Sequence, residues 1–161
     1  MNVIKTKDNL VLQDKKIVEK LKFLAKKSPL KRSRICLHKS LKDNTNEMII
    51  ALMKDSYIPP HIHPNSKSES YHLIEGKMKV FIFNKNGKIV KVIKMGDYKS
   101  GNIFYYRMNK GYYHMPVSVT HFCIYHETYS GPFNKKKRCT FSKMGTRPKK
   151  IYWSKIINFK S

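Results

Sequence analysis

Residues 59–76 read PPHIHPNSKSESYHLIEG, and this stretch decides how the chain folds. Pro59, Pro60 and Pro64 fix φ and remove backbone donors, so YIPPHIHP reads as an extended or edge strand rather than a helix. A short polar loop follows, and then SYHLIEG, which reads as a second strand. Between His61 and His72 the chain gathers three of its seven histidines and Glu69, one of its ten acidic residues, while its remaining charge is spent on lysine.

Outward from this stretch the strand signal continues in both directions. Upstream lie SRICLH, with Ile35 and Leu37 on one face, and the apolar run NEMIIALMK. Downstream, KMKVFIF leads through Asn86-Gly87, a hairpin signal, into KIVKVIKM. NIFYYRMNKGYYHMPV carries a strand, a turn at Asn109-Lys110-Gly111 and a further strand start, and HFCIYHETY is the last clear strand. Eight or nine short strands with closely spaced turns predict an all-β sandwich or barrel. One segment differs. In DKKIVEKLKFLAKK, residues 14–27, the residues Ile17, Val18, Leu21, Leu24 and Ala25 share a helical stripe, with Asp14 as N-cap and Ser28-Pro29 as the stop. Past Pro132 the chain turns basic but keeps Phe141, Ile151, Tyr152, Trp153, Ile156, Ile157 and Phe159, so part of it is expected to pack back or to join a dimer contact.

At 161 residues one domain is expected. No run of about 18 apolar residues suits a membrane span, and the N-terminus lacks the apolar core of a signal peptide, so the expected location is cytoplasmic, with no membrane partner. Cys36, Cys123 and Cys139 are odd in number and far apart, as for free thiols, and the first two read as core strand residues. The net charge is +24, yet only five of the 34 basic residues are arginines. Arginine is the residue that reads phosphates and guanine edges. The excess of scattered lysine argues for a solvated basic surface, one that attracts small anions, over a nucleic-acid interface.

Histidines two apart on a strand project to the same face, so His61 and His63 stand side by side. Glu69 opens the next strand, and His114 follows a glycine turn far along the chain. Three imidazoles and a carboxylate form a mixed N/O set that suits one divalent transition metal, Zn, Fe, Mn, Ni or Co, with positions left open. His72 is three residues from Glu69 and so falls on the opposite strand face. The tyrosines 105, 106, 112 and 113 line a pocket or fill the core, and His121 and His126 read as structural.

HIHPNSKSESYHLIEG resembles the first cupin motif, and GYYH, residues 111–114, the core of the second. The fuller resemblance is to WbuC-type cupin-fold metalloproteins: RICLHKS, PPHIHPNSKSE, LIEG, GYYH and YSGPF occur in that order over about residues 10–135. Departures are Asp55 for a glycine, Asn109 for a proline, Cys36 for an asparagine, Tyr113 for a tryptophan and Ser130 for a glutamate. The resemblance implies a single cupin barrel (a jelly roll) over 32–133, preceded by a helical segment over 1–31 and followed by a basic extension over 134–161. It implies metal ligands at His61, His63, Glu69 and His114, and substrate contacts at Arg32, Arg34, His38 and Tyr113. It further implies a sugar or nucleotide-sugar substrate in surface-polysaccharide biosynthesis, with the metal as Lewis acid and isomerase, epimerase or lyase chemistry. An Fe(II) dioxygenase and a non-catalytic small-ligand module with a basic docking surface are the alternatives. A homodimer is expected from the way such barrels pair.

Overall fold

The computed structural model describes residues 2–64 and 66–133, together with a strand at 140–141. The elements are β1 (Asn2–Lys5), α1 (Lys15–Lys27), β2 (Arg32–Cys36), β3 (Thr45–Met53), β4 (His61–Ile62), β5 (Glu69–Glu75), β6 (Lys77–Phe83), β7 (Ile89–Gly96), β8 (Tyr105–Met108), β9 (Tyr113–Ser118), β10 (Phe122–Ser130) and β11 (Thr140–Phe141). One sheet runs β1-β2-β3-β10-β5-β8 and the other β11-β4-β9-β6-β7, and the two face each other as a jelly roll. The basic, aromatic segment expected to pack back over 134–161 lies outside the described residues, apart from the backbone of β11. No helix among the described residues is long and apolar enough to cross a membrane.

Strand alternation explains three apolar clusters. Met48, Ile50 and Leu52 of β3 point between the sheets, where they meet Leu73, Val80, Cys123 and Tyr125. The odd-numbered residues of the same strand, Ile49, Ala51 and Met53, point outward and are covered by Leu21 and Ala25 of α1. Both faces of β3 are therefore buried, which is why it reads as a continuous apolar run. On the far sheet, Phe81 and Phe83 pack with Met115 and Val117 on the outer face. The two cysteines expected in the core, Cys36 and Cys123, are buried and free.

The helix begins and ends where the sequence places it. The Asp14 carboxylate accepts from the backbone N–H groups of Lys16 and Ile17, and Ser28 closes the last turn. Two features differ from the sequence reading. β1 is an additional strand, parallel to β2, with Val3 opposite Arg34. The His61–Ile62 strand is extended but is not an edge, because it sits between β11 and β9. The turn at Asn109-Lys110-Gly111 falls where the sequence places it and carries the chain from β8 in the first sheet to β9 in the second.

That crossing depends on a glycine. A Cβ on Gly111 would lie 2.2 Å from the His63 carbonyl oxygen and 3.0 Å from Ile62 Cγ1. Only a residue without a side chain lets the β8–β9 connection pass this close to the strand that carries the histidines.

Candidate metal centre

His61 on β4 and His114 on β9 are register partners, so their imidazoles meet across the strand pair, tilted at 53° with ring centroids 4.2 Å apart. His63, two residues beyond His61, brings its ring centroid to 5.2 Å from that of His61 and 5.4 Å from that of His114. One nitrogen from each of the three falls within 4.8 Å of the others. Glu69, at the start of β5 on the opposite sheet, closes the group: Oε1 lies 3.0 Å from His63 Nε2, and Oε2 lies 3.0 Å from His114 Nε2. His114 is fully buried, and Glu69 is 2% exposed. The four side chains that the sequence singled out thus converge from three strands on one dry spot.

The ring orientations are set by the backbone. His61 Nδ1 lies 2.9 Å from the Pro59 carbonyl, and His114 Nδ1 lies 2.9 Å from the Tyr112 carbonyl. In each case Nδ1–H donates to the carbonyl two residues back, which fixes the ring and turns Nε2 toward the cluster. This is the arrangement that outer hydrogen bonds impose on metal-binding histidines. Burial, with the neighbouring His114 adding to it, pushes the His61 pKa down to about 3, so its ring is neutral at physiological pH. Burial alone would raise the Glu69 pKa; His114 and His63 facing it outweigh that and hold it below the ordinary carboxylate range, as an anion. A neutral imidazole at His61 and an ionised carboxylate at Glu69 are forms that a metal ligates.

Whether these residues suit a divalent ion can be tested on the polar atoms themselves. His114 Nε2 and Glu69 Oε2 are buried and make no well-formed hydrogen bond among the described residues, although they are 3.0 Å apart. Leaving two such atoms dry and unsatisfied is costly, and a cation between them would satisfy both. The donor set fits a borderline divalent transition metal.

His61 and His63 open into a cavity of about 340 Å³. Arg32, Arg34 and His38 line it, as the sequence anticipates, and so do Tyr71, Tyr125 and Tyr129. Arg32 donates from Nη1 to the Tyr57 carbonyl at 2.7 Å, and Arg34 Nε is buried with no partner among the described residues. His38 accepts the Glu47 N–H at Nδ1. Tyr113 is placed elsewhere. As a strand neighbour of His114 it points the other way and packs beside Phe81 and Phe83 on the outer face. His72 is likewise exposed on the face opposite Glu69. Tyr105 and Tyr112 are largely exposed, and Tyr106 packs against the inner core.

One cavity residue is absent from the sequence reading. Glu127 of β10 lies in register between Met48 of β3 and Tyr71 of β5, on the inner face. Burial, reinforced by the Glu69 anion, pushes its pKa up to about 8. The signal available was the alternation of HFCIYHETY, which places positions 123, 125, 127 and 129 on one face.

A family model described as a domain of unknown function (DUF6016) matches residues 13–95, more than half of the chain. No curated protein matches the sequence. Among solved structures, protein SO0799 from Shewanella oneidensis is similar at 12% identity and a TM-score of 0.53, over 67% of this chain and 72% of that one. An oxalate oxidase crystallised with the substrate analogue glycolate is similar at 15% identity and a TM-score of 0.52, over 83% and 68%. The capsular polysaccharide assembling protein CapF from Staphylococcus aureus is similar at 13% identity and a TM-score of 0.52, over 62% of this chain but only 27% of its own. These likenesses establish the cupin jelly-roll fold, and the buried histidine trio fits a metal-binding cupin.

Proposed function

The chain belongs to the DUF6016 family, and from that premise we propose that it is a divalent-metal cupin of the WbuC type acting on a small anionic sugar. The observation that carries this is the histidine trio: three imidazole nitrogens within 4.8 Å of one another, opening into a cavity of about 340 Å³. His61, His63 and His114, completed by Glu69, would hold the ion. Bound there, it would supply Lewis-acid polarisation of a carbonyl or hydroxyl oxygen.

The chain's own residues supply the rest. Arg32 and Arg34 draw an anionic group into the cavity, and a field set by a net charge of +24 speeds its arrival. Glu127 keeps its proton near neutral pH and lines the same space, so it is suited to give or take a proton at the substrate. Tyr71 and Tyr125, raised well above the usual phenol range by burial, stay as neutral hydroxyls that orient rather than ionise. The ordered segments RICLHKS, PPHIHPNSKSE, LIEG, GYYH and YSGPF support the WbuC assignment, and with it a role in surface-polysaccharide biosynthesis in the cytoplasm.

The test is elemental analysis of protein purified without chelator, beside a His61→Ala, His63→Ala double variant. Near-stoichiometric divalent metal in the parent, lost in the variant, is expected. No metal in either, and no uptake on reconstitution, would remove the proposal. A redox-silent ion supports Lewis-acid chemistry, whereas iron with substrate-dependent oxygen uptake would replace it by dioxygenase chemistry.

A further inference from the structure

The cavity carries its charge in a definite order. Along the inner face of the first sheet, β2 presents Arg32 and Arg34, β3 presents Met48 and Ile50, β10 presents Tyr125 and Glu127, and β5 presents Glu69 and Tyr71. The registers Arg34–Ile50–Tyr125 and Cys36–Met48–Glu127–Tyr71 fix these rows. Adjacent strands are about 4.8 Å apart. The guanidinium pair on β2 and the Glu69 carboxylate on β5 therefore stand at opposite ends of one inner face, with apolar β3 side chains and Glu127 between them, and the histidines face that surface from the second sheet.

Neither arginine is paired with a carboxylate among the described residues, and Glu127 is the one carboxylate among them that lines the cavity. Arg32 gives one N–H to the Tyr57 carbonyl. Arg34 keeps a buried Nε–H without a partner among the described residues. In a guanidinium, Nε–H and its neighbouring Nη–H form a planar two-pronged donor that matches the two oxygens of a carboxylate. A buried guanidinium N–H without a partner is costly to maintain, and an anion taking this N–H and its Nη neighbour would relieve that cost.

Size and charge narrow the anion. A volume of about 340 Å³ lies near the bottom of the range for small-molecule sites, roughly 300–1,000 Å³. A single sugar ring or an open-chain acid of similar size fits; a nucleoside diphosphate sugar, with its base, second ring and two phosphates, does not. A carboxylate presents its two oxygens in one plane, as the fork does, and a phosphate ester on a ring of the same size is the competing anion that the experiment must separate from it.

The geometry points to a small polyhydroxy carboxylate as the ligand, its carboxylate held by Arg34 and Arg32 and its hydroxyl groups reaching past Glu127 toward His61 and His63. This deepens the proposed function, resting on it for the hydroxyl end alone; the arginine end stands without a metal. It also narrows the expected substrate from a nucleotide sugar to a free sugar acid.

The experiment is calorimetric titration of the full-length protein at ~150 mM salt with D-gluconate, D-glucose, glucose 6-phosphate and UDP-glucose. It compares the parent with Arg32→Gln,Arg34→Gln and Arg32→Lys,Arg34→Lys, and the metal content and melting temperature of every sample are measured alongside. Gluconate is expected to bind at least tenfold tighter than the other three. The glutamine variant should lose that binding, and the lysine variant most of it, because lysine keeps the charge but not the fork. Unchanged melting temperature and metal content would place the loss in the arginine subsite. The glutamine variant removes only two charges from a chain of net charge +24, so equal gluconate binding by parent and variant would mean that the general field attracts anions, and would overturn the inference. Tighter binding of UDP-glucose or glucose 6-phosphate than of gluconate would overturn it too. Absence of metal in the parent with gluconate binding intact would instead count against the metal reading alone.

Discussion

Gly111→Ala sets two known effects against each other, and the structure decides which wins. The φ of Gly111 lies outside the left-handed region, so alanine meets no backbone penalty there. By restricting the unfolded chain it should stabilise the protein by about 0.4–1 kcal/mol. Against this, the new methyl would sit 2.2 Å from the His63 carbonyl oxygen, 3.0 Å from Ile62 Cγ1 and 3.3 Å from the His63 carbonyl carbon. Real Cβ contacts begin near 3.0 Å, so the two backbones must part by about 0.8 Å. Neither can yield freely, because β4 is pinned by its pairing with β9 at His61–His114 and by β11 on its other side. Overpacking of this kind costs roughly 1–3 kcal/mol, so a net loss of about 1–2 kcal/mol is expected, seen as a melting temperature lower by roughly 2–8 °C. The same shift exceeds the roughly 0.2 Å tolerance of metal–ligand distances, so metal affinity should fall by about tenfold or more. Thermal unfolding followed by circular dichroism, with and without chelator, reads the first effect, and competition with a metal-sensitive dye reads the second. A variant more stable than the parent, with full metal affinity, would refute the reasoning: the β8–β9 crossing would then not be tight, and Gly111 would have no part in positioning His63.

Leu21 is fully buried where α1 meets β2 and β3, and its carbonyl accepts the Ser33 hydroxyl at 2.6 Å. Leu21→Ala should cost about 2–5 kcal/mol, measured as a lower urea midpoint, while metal content below the transition stays unchanged because the helix lies on the face away from the cavity. Glu127 holds its proton up to about pH 8 in the folded chain, against 4.5 as the ordinary value. The folded state therefore binds the proton more tightly across that window, and the stabilisation present below pH 4.5 is lost as pH rises through 8. The groups acting on it are Glu69, which raises it, and His63 and Arg34, which lower it. Glu127→Gln should remove this slope, worth on the order of 1–2 kcal/mol for a partly exposed group. Melting temperatures at pH 6 and pH 9, at constant ionic strength, check this, and a parent whose stability does not fall between them would contradict it.

The histidine pair at the heart of the cluster was legible because its spacing is local. Two histidines on alternate positions share a face whatever the rest of the sheet does, and the prolines around them leave only an extended reading. Glu69 and His114 followed from their places at strand starts. The helix was legible for a similar reason, since its stripe and its Asp14 cap lie within one segment. What the sequence hid depends on pairing between distant segments. β1 is four residues long and gains its place only by lying parallel to β2. Tyr113 was drawn into the site by its neighbour His114, although adjacent strand residues face opposite ways, and here the outer face holds Phe81 and Phe83 to receive it. Glu127 was passed over because a lone carboxylate in an alternating strand ordinarily faces water; the sheet order, not the strand, turns it toward the cavity.

The two rings that face one another across β4 and β9 also share a device that neither segment reveals alone. In both, the carbonyl two residues earlier receives Nδ1–H: Pro59 for His61 and Tyr112 for His114. Each carbonyl lies just before its strand, at Pro59 ahead of His61 and at Tyr112 ahead of Tyr113, where the ladder does not yet claim the oxygen. Pro60 contributes by having no N–H of its own to compete and by holding the approach extended. Gly111 contributes by letting the second approach pass against Ile62 and His63 at the far end of β4. The motif residues that look like punctuation around the histidines therefore fix both ring orientations, and the two rings meet because His61 and His114 are register partners on antiparallel strands.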